Sequence, residues 1–173
     1  MKFILILILA TSITMVSAQK KLKIGDKAPA FTGKDQDGKS VSLSSFAGKK
    51  VVLYFYPKDQ TPGCTAEACN LRDNVEMLSQ KGYVILGVSP DDEASHREFI
   101  EKYKLPFTLI ADTDKSIHQD YGVWVERERD GKKFMGTART TFLINEKGVI
   151  TDIIEKVDTA NHADQIAKST GAH

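Results

Sequence analysis

The sequence predicts an α/β domain in which a mixed central β-sheet is flanked by helices. Three observations carry that prediction: apolar runs of strand length at residues 51–56, 84–88 and 107–110, helical periodicity after these runs, and two hairpin signals further on. Runs of that length suit strands buried on both faces. After the first run, Ala68, Leu71, Val75 and Leu78 fall at three- and four-residue steps and share one helix face. After the second, Ser89, Pro90 and Asp91 cap a helix whose stripe is Phe99, Ile100 and Tyr103. After the third, a short helix over residues 116–121 ends at Gly122. Residues 123–129 and 133–136 then flank Asp130-Gly131, and residues 141–144 and 149–154 flank the segment from Asn145 to Gly148; both read as antiparallel hairpins. Residues 158–169 close the chain as a helix with Ala163, Ile166 and Ala167 inward. Strand–helix alternation followed by antiparallel strands is the pattern of a mixed sheet with helices on its faces.

At 173 residues the chain has room for one domain, and it shows neither an internal repeat nor a linker. Hydrophobic residues make up 41% and charged residues 27%, the composition of a globular chain with a real core. Met1 and Lys2, an apolar stretch from Phe3, and Val16-Ser17-Ala18 read as a secretory signal peptide over residues 1–18, cleaved after Ala18, with one domain over residues 19–173. The alternative, an uncleaved anchor, has only residues 3–18 to span with, about 24 Å of helix against a hydrocarbon core of about 30 Å. No stable membrane insertion is therefore expected. Lys plus Arg number 24 against 23 for Asp plus Glu, and Lys2 is the leader's one charge, so the mature chain is neutral. Neutrality excludes an electrostatic case for nucleic acid. Export places the two cysteines, Cys64 and Cys69, in a periplasm or outside the cell, where disulfides persist.

Cys64 stands where a buried strand gives way, through a Pro- and Gly-punctuated loop, to a helix start. Ligand sites of open α/β sheets lie at the carboxyl ends of the strands. There the unpaired N–H groups of the first helical turn and the positive end of the helix dipole favour a thiolate. Cys69 is five residues on, which in a regular helix puts the two Cα atoms about 8.6 Å apart. A disulfide needs them within about 7 Å, so pairing would require at least one turn to unwind. Such a disulfide is easily reduced, as befits a catalytic intermediate. The residues alone also allow a buried and a surface thiol, or a structural disulfide.

Pro57, Thr61 and Cys64 form a Pro-x-x-x-Thr-x-x-Cys pattern, and Thr61 to Cys69 reads Thr-Pro-Gly-Cys-Thr-x-Glu-x-Cys. With Gly87-Val88-Ser89-Pro90-Asp91, Lys104-Leu105-Pro106-Phe107, Tyr121-Gly122-Val123-Trp124 and the segment from Arg139 to Ile144, in that order, the chain resembles the peroxiredoxins of the bacterioferritin comigratory protein group, the Q-type thiol peroxidases. The resemblance covers about residues 22–168. It implies a thioredoxin-like fold, monomers, and reduction of hydrogen peroxide or organic hydroperoxides without metal or organic cofactor. Cys64 would be the peroxidatic cysteine and Cys69 the resolving one, joined in a redox-active Cys64–Cys69 disulfide that thioredoxin or another dithiol resets. Thr61 would bond the peroxide oxygens or the thiolate, Pro57 would shield the pocket, Arg139 would stabilise the thiolate and the leaving oxygen, and the N–H groups of Gly63 and Cys64 would join that cradle. The group is largely cytoplasmic, so the leader is a departure that puts the reductant in question.

The alternative functions are a thiol–disulfide oxidoreductase of the same fold, against which the missing Cys-x-x-Cys counts, and a non-enzymatic binding domain that keeps the fold and a structural disulfide. Glu67 reads as a first-turn acid explained by the helix dipole and outside the main site, although it could join a network with Arg139. His96 reads as a boundary residue, Tyr121 and Trp124 as packing, and residues 126–133 as a solvated face. His96, His118, His162 and His173 have no metal-site spacing.

Overall fold

A computed structural model describes residues 21–169, and the expected signal peptide lies outside the described residues. The chain forms β1 (Thr32–Asp35), β2 (Ser40–Ser42), a 3-10 turn (Leu43–Phe46), β3 (Lys50–Phe55), α1 (Pro62–Asp73), α2 (Val75–Gln80), β4 (Tyr83–Ser89), α3 (Glu93–Tyr103), β5 (Thr108–Ala111), α4 (Ser116–Asp120), β6 (Trp124–Arg129), β7 (Lys132–Thr137), β8 (Thr140–Ile144), β9 (Ile150–Ile154) and α5 (His162–Ser169). Seven strands make one sheet in the order β2-β1-β5-β4-β3-β8-β9. The pairs β3–β4 and β4–β5 are parallel and the others antiparallel, so the sheet is mixed, as expected.

The central strand β3 explains why its sequence is apolar throughout. Successive side chains point to opposite faces. Val52 and Tyr54, followed by Tyr56 just beyond the strand, enter a core shared with Cys64, Ala68, Leu71, Leu78, Phe99 and Ile166. Val51, Leu53 and Phe55 enter a second core with Leu86, Ile110, Ile117, Tyr121 and Phe142. Helices α1, α2, α3 and α5 thus supply one core and α4 the other. Each fully buried side chain of this size contributes about 1.5–3 kcal/mol by leaving water. Gly87 faces Tyr54 across the parallel pair, and a Cβ there would stand 2.8 Å from the Tyr54 hydroxyl oxygen and 2.7 Å from Leu109 Cδ2. Only glycine leaves room for that ring.

Both hairpins form. The first, β6–β7, is a two-stranded sheet of its own, turned by Asp130 and Gly131 at positive φ of 52° and 71°. The second, β8–β9, joins the main sheet. Several expectations need correction. The first helix is broken at Asn74, where φ −115° and ψ 12° interrupt the turn and the side chain bonds back to the carbonyl of Asn70 at 2.8 Å. The cap of α3 is Asp92, which accepts from the Ser95 N–H at 2.9 Å; Asp91 turns inward to Ser89 instead. Helix α5 begins at His162, because residues 158–161 form a turn in which Asp158 accepts from the Ala160 N–H and the Asn161 amide. Strands β1 and β2 carry no strand signal in the sequence: Thr-Gly-Lys-Asp and Ser-Val-Ser are short, polar and without apolar alternation.

Candidate active site

The loop between β3 and α1 is fastened before it reaches Cys64. Asp59 is buried; its Oδ1 accepts from the Tyr56 hydroxyl at 2.6 Å, and its Oδ2 accepts from the Ser95 hydroxyl at 2.7 Å and lies 2.8 Å from His96 Nδ1. The Asp59 N–H donates to Asp91, which also accepts from Ser89. A carboxylate with this many donors is a stable buried anchor, holding the loop to α3 and the end of β4. His96 is therefore no boundary residue but a fully buried partner of Asp59. Its place near an apolar stripe hid that role, since Asp59 looks like an ordinary turn residue in sequence.

Pro62 opens α1 at its first position, where its missing N–H leaves no acceptor wanting. Thr61 is the N-cap by backbone and its carbonyl takes the first helical bond from the Thr65 N–H at 2.8 Å. Its hydroxyl donates to the Lys58 carbonyl at 3.0 Å. Cys64 follows in the first turn and is buried, with the N–H groups of Gly63 and Cys64 at the positive end of the helix. Cys64 and Cys69 are both free thiols, and Cys69 is half-buried on the same unbroken helix.

Arg139 reaches the site from the short link between β7 and β8. Its Nη2 donates to Cys64 Sγ at 3.3 Å, and its Nη1 donates to Glu67 Oε2. The guanidinium fork thus holds the sulfur and a carboxylate at once, a geometry a lysine would not reproduce. Burial works against the Arg139 charge, but Glu67 and Cys64 outweigh it and hold its pKa above the usual value. Arg139 Nη2 also lies 3.5 Å from where a side chain at Gly63 would begin.

Glu67 stands beside Cys64 in the network with Arg139, not outside the site as a first-turn acid explained by the helix dipole. It is fully buried, one turn beyond Cys64, and only an ion pair makes such a charge tolerable. Its other oxygen lies 3.1 Å from His162 Nδ1, off the line of a hydrogen bond, and His162 Nε2 is 3.0 Å from the Thr141 hydroxyl. The three-residue step from Cys64 to Glu67 was the available signal for one shared helix face. Tyr54 lies against His162 with ring centroids 6.4 Å apart. Burial, then the charges of Glu67, Asp59 and Cys64, keep its phenol well above the ordinary range, so it stays neutral.

Two clefts flank the β6–β7 hairpin. One of about 740 Å³ is bordered by Arg139, Trp124, Val125 and Phe142; the other, about 370 Å³, by Pro57, Lys58, Trp124 and Met135. Pro57 is exposed at this second cleft. Among the described residues, no group of three or more His, Cys, Asp or Glu side chains is placed to hold a metal ion, and no helix is long and apolar enough to cross a membrane.

The sequence model of the AhpC/TSA family matches residues 24–153. Among curated proteins the chain is 49% identical over 145 residues to a peroxiredoxin Bcp of Coxiella burnetii, covering 84% of this chain and 96% of that one. It is 44% identical over 145 residues to peroxiredoxin Bcp of Escherichia coli K12, covering 84% and 93%. Among solved structures, Peroxiredoxin Q of Xanthomonas campestris superposes with a TM-score of 0.78 at 35% identity, covering 83% of this chain and 90% of that chain. A structure of the bacterioferritin comigratory protein from the same organism, described for its alkyl peroxide reduction activity, gives 0.77 at 34%, covering 82% and 90%. The fold is the thioredoxin-like fold of these proteins. By family and by relatives, the chain belongs to the AhpC/TSA family as a Bcp-type peroxiredoxin, an enzyme with thiol peroxidase activity.

Proposed function

We propose that this peroxidase uses Cys64 to attack hydrogen peroxide and organic hydroperoxides, and Cys69 to resolve the product within one chain. The reading rests above all on the Arg139 fork, which bonds the Cys64 sulfur and Glu67 together. The Cys64 thiolate takes the terminal peroxide oxygen, the O–O bond breaks, and the departing oxygen leaves as water or alcohol after collecting a proton. Negative charge grows on that oxygen in the transition state, so donors fixed in advance lower the barrier. Arg139 and the N–H groups of Gly63 and Cys64 are those donors. Thr61 bonds the peroxide once its hydroxyl turns away from the Lys58 carbonyl, and Pro57 walls the pocket on the side of the smaller cleft. The alkyl peroxide activity in the description of the Xanthomonas campestris relative supports organic hydroperoxides as substrates.

Cys69 then attacks the Cys64 sulfenic acid, and an outside dithiol such as thioredoxin reduces the resulting disulfide. Every group needed is supplied by one chain, so the enzyme works as a monomer and without a cofactor. Residues 1–18 direct export and leave residues 19–173 as the mature domain, which requires a dithiol reductant outside the cytoplasm. Two variants test the scheme. Cys64→Ser abolishes turnover, and retained peroxidase activity refutes the role of Cys64. Cys69→Ser reacts once and stops as a sulfenic acid that a dimedone probe labels; normal turnover of that variant with thioredoxin refutes the role of Cys69.

A further inference from the structure

We infer that Asn70 is a positioning residue that gates the resolving step, by clasping the helical segment that carries Cys69 to the start of α5; this rests on the reading of Cys69 as the resolving cysteine. The Asn70 amide reaches α5 with one end and the turn that precedes it with the other. Its Nδ2 donates to the Ala160 carbonyl at 2.7 Å, and its Oδ1 accepts from the Ala163 N–H at 2.8 Å. Ala163 sits in the first turn of α5, where backbone N–H groups have no partner inside their own helix. A residue of α1 therefore caps α5 across the interface. Arg72 ties the same stretch of α1 to the end of α3, donating from Nη1 to the Tyr103 carbonyl at 2.7 Å. The Asn74 amide closes the next turn on the Asn70 carbonyl at 2.8 Å.

These bonds bear on the reaction because the two sulfurs meet only when α1 loses helical form between residues 64 and 69. In that step the S–O bond of the Cys64 sulfenic acid breaks and the S–S bond to Cys69 forms. The oxygen leaves as water with the sulfenic hydrogen and the Cys69 hydrogen, and no outside electron is needed. The negative charge that Arg139 held on Cys64 has gone once the sulfenic acid exists, so the first reaction itself weakens one of the two contacts of the Arg139 fork on α1, while the contact with Glu67 remains. The Asn70 clasp is indifferent to that reaction. It is made only while residues 69 and 70 are helical, so it opposes resolution and prolongs the sulfenic acid.

The test is rapid mixing of the reduced chain with hydrogen peroxide, acid quench, and intact mass at each time, which resolves sulfenic acid from disulfide. A net hydrogen bond is a factor of roughly two to ten in an equilibrium. Asn70→Ala is expected to speed disulfide formation by about fivefold or more while sulfenic acid formation changes less than twofold. Asn70→Asp, which keeps the acceptor for Ala163 and loses the donor to Ala160, falls between the two and serves as the second variant should alanine impair folding. A merely structural Asn70 would lower the melting midpoint without accelerating any step. Disulfide formation that is unchanged or slower in both variants overturns the inference while leaving the role of Cys69 intact. Absence of a Cys64–Cys69 link in the unsubstituted chain overturns both.

Discussion

Removing Arg139 separates its two duties, because the same guanidinium neutralises Glu67 and holds the Cys64 sulfur. Breaking a buried ion pair from one side typically destabilises by about 3–5 kcal/mol, since the surviving charge stays buried. The Arg139 side chain is 21% exposed and Glu67 fully buried, so water entering the vacated space offsets part of this, and Arg139→Ala is expected to lose about 3 kcal/mol. A preorganised donor to a developing oxyanion is worth about 10²- to 10³-fold in rate. Adding Glu67→Gln to Arg139→Ala removes the orphaned charge but restores no donor. The double variant is expected to regain most of the lost stability in urea titration, with the single-turnover rate against peroxide still reduced about 10²-fold or more. Recovery of rate along with stability would refute the reasoning, because Arg139 would then act only by neutralising Glu67.

Other substitutions probe the frame around the site. Gly87→Ala drives a methyl into the Tyr54 ring and Leu109; overpacking of this kind costs about 1–3 kcal/mol, and an unchanged urea midpoint would contradict the packing described. Asp59→Asn keeps the shape but turns a charged acceptor into a neutral one facing Tyr56, Ser95 and His96, so a loss of about 2 kcal/mol is expected together with slower peroxide reaction. Equal rates in the two proteins would show that the loop holding Cys64 does not depend on this anchor. Cys69→Ser should retain the first peroxide reaction at near-normal rate in single turnover while failing to recycle.

The central strands and the β6–β7 turn are legible because their signals are local. A fully buried strand such as β3 has no polar face to break the apolar run, and Asp130-Gly131 marks a turn that needs two residues at positive φ. Pro57, Thr61, Cys64 and Cys69 lie on one loop and one helix, so the pattern by which the chain resembles the peroxiredoxins is contiguous in sequence. What escaped depends on distant partners. Asp59 with His96, and Glu67 with His162, are buried charged or polar pairs joined across 37 and 95 positions, and nothing in either local sequence tells a satisfied buried acid from a solvated one. Strands β1 and β2 escaped for a related reason: their pairing with each other and with β5, not their composition, makes them strands. The break at Asn74 is a side-chain competition for a backbone carbonyl that the apolar stripe does not register.

The central claim is that Cys64 and Cys69 of one chain form the catalytic redox pair. Intact mass of the reduced protein before and after one equivalent of hydrogen peroxide, followed by peptide mapping, tests it most directly. The account predicts rapid loss of two hydrogens, located to a Cys64–Cys69 link within a single chain. Peroxide that persists while both thiols survive, or a link between two chains, would contradict it.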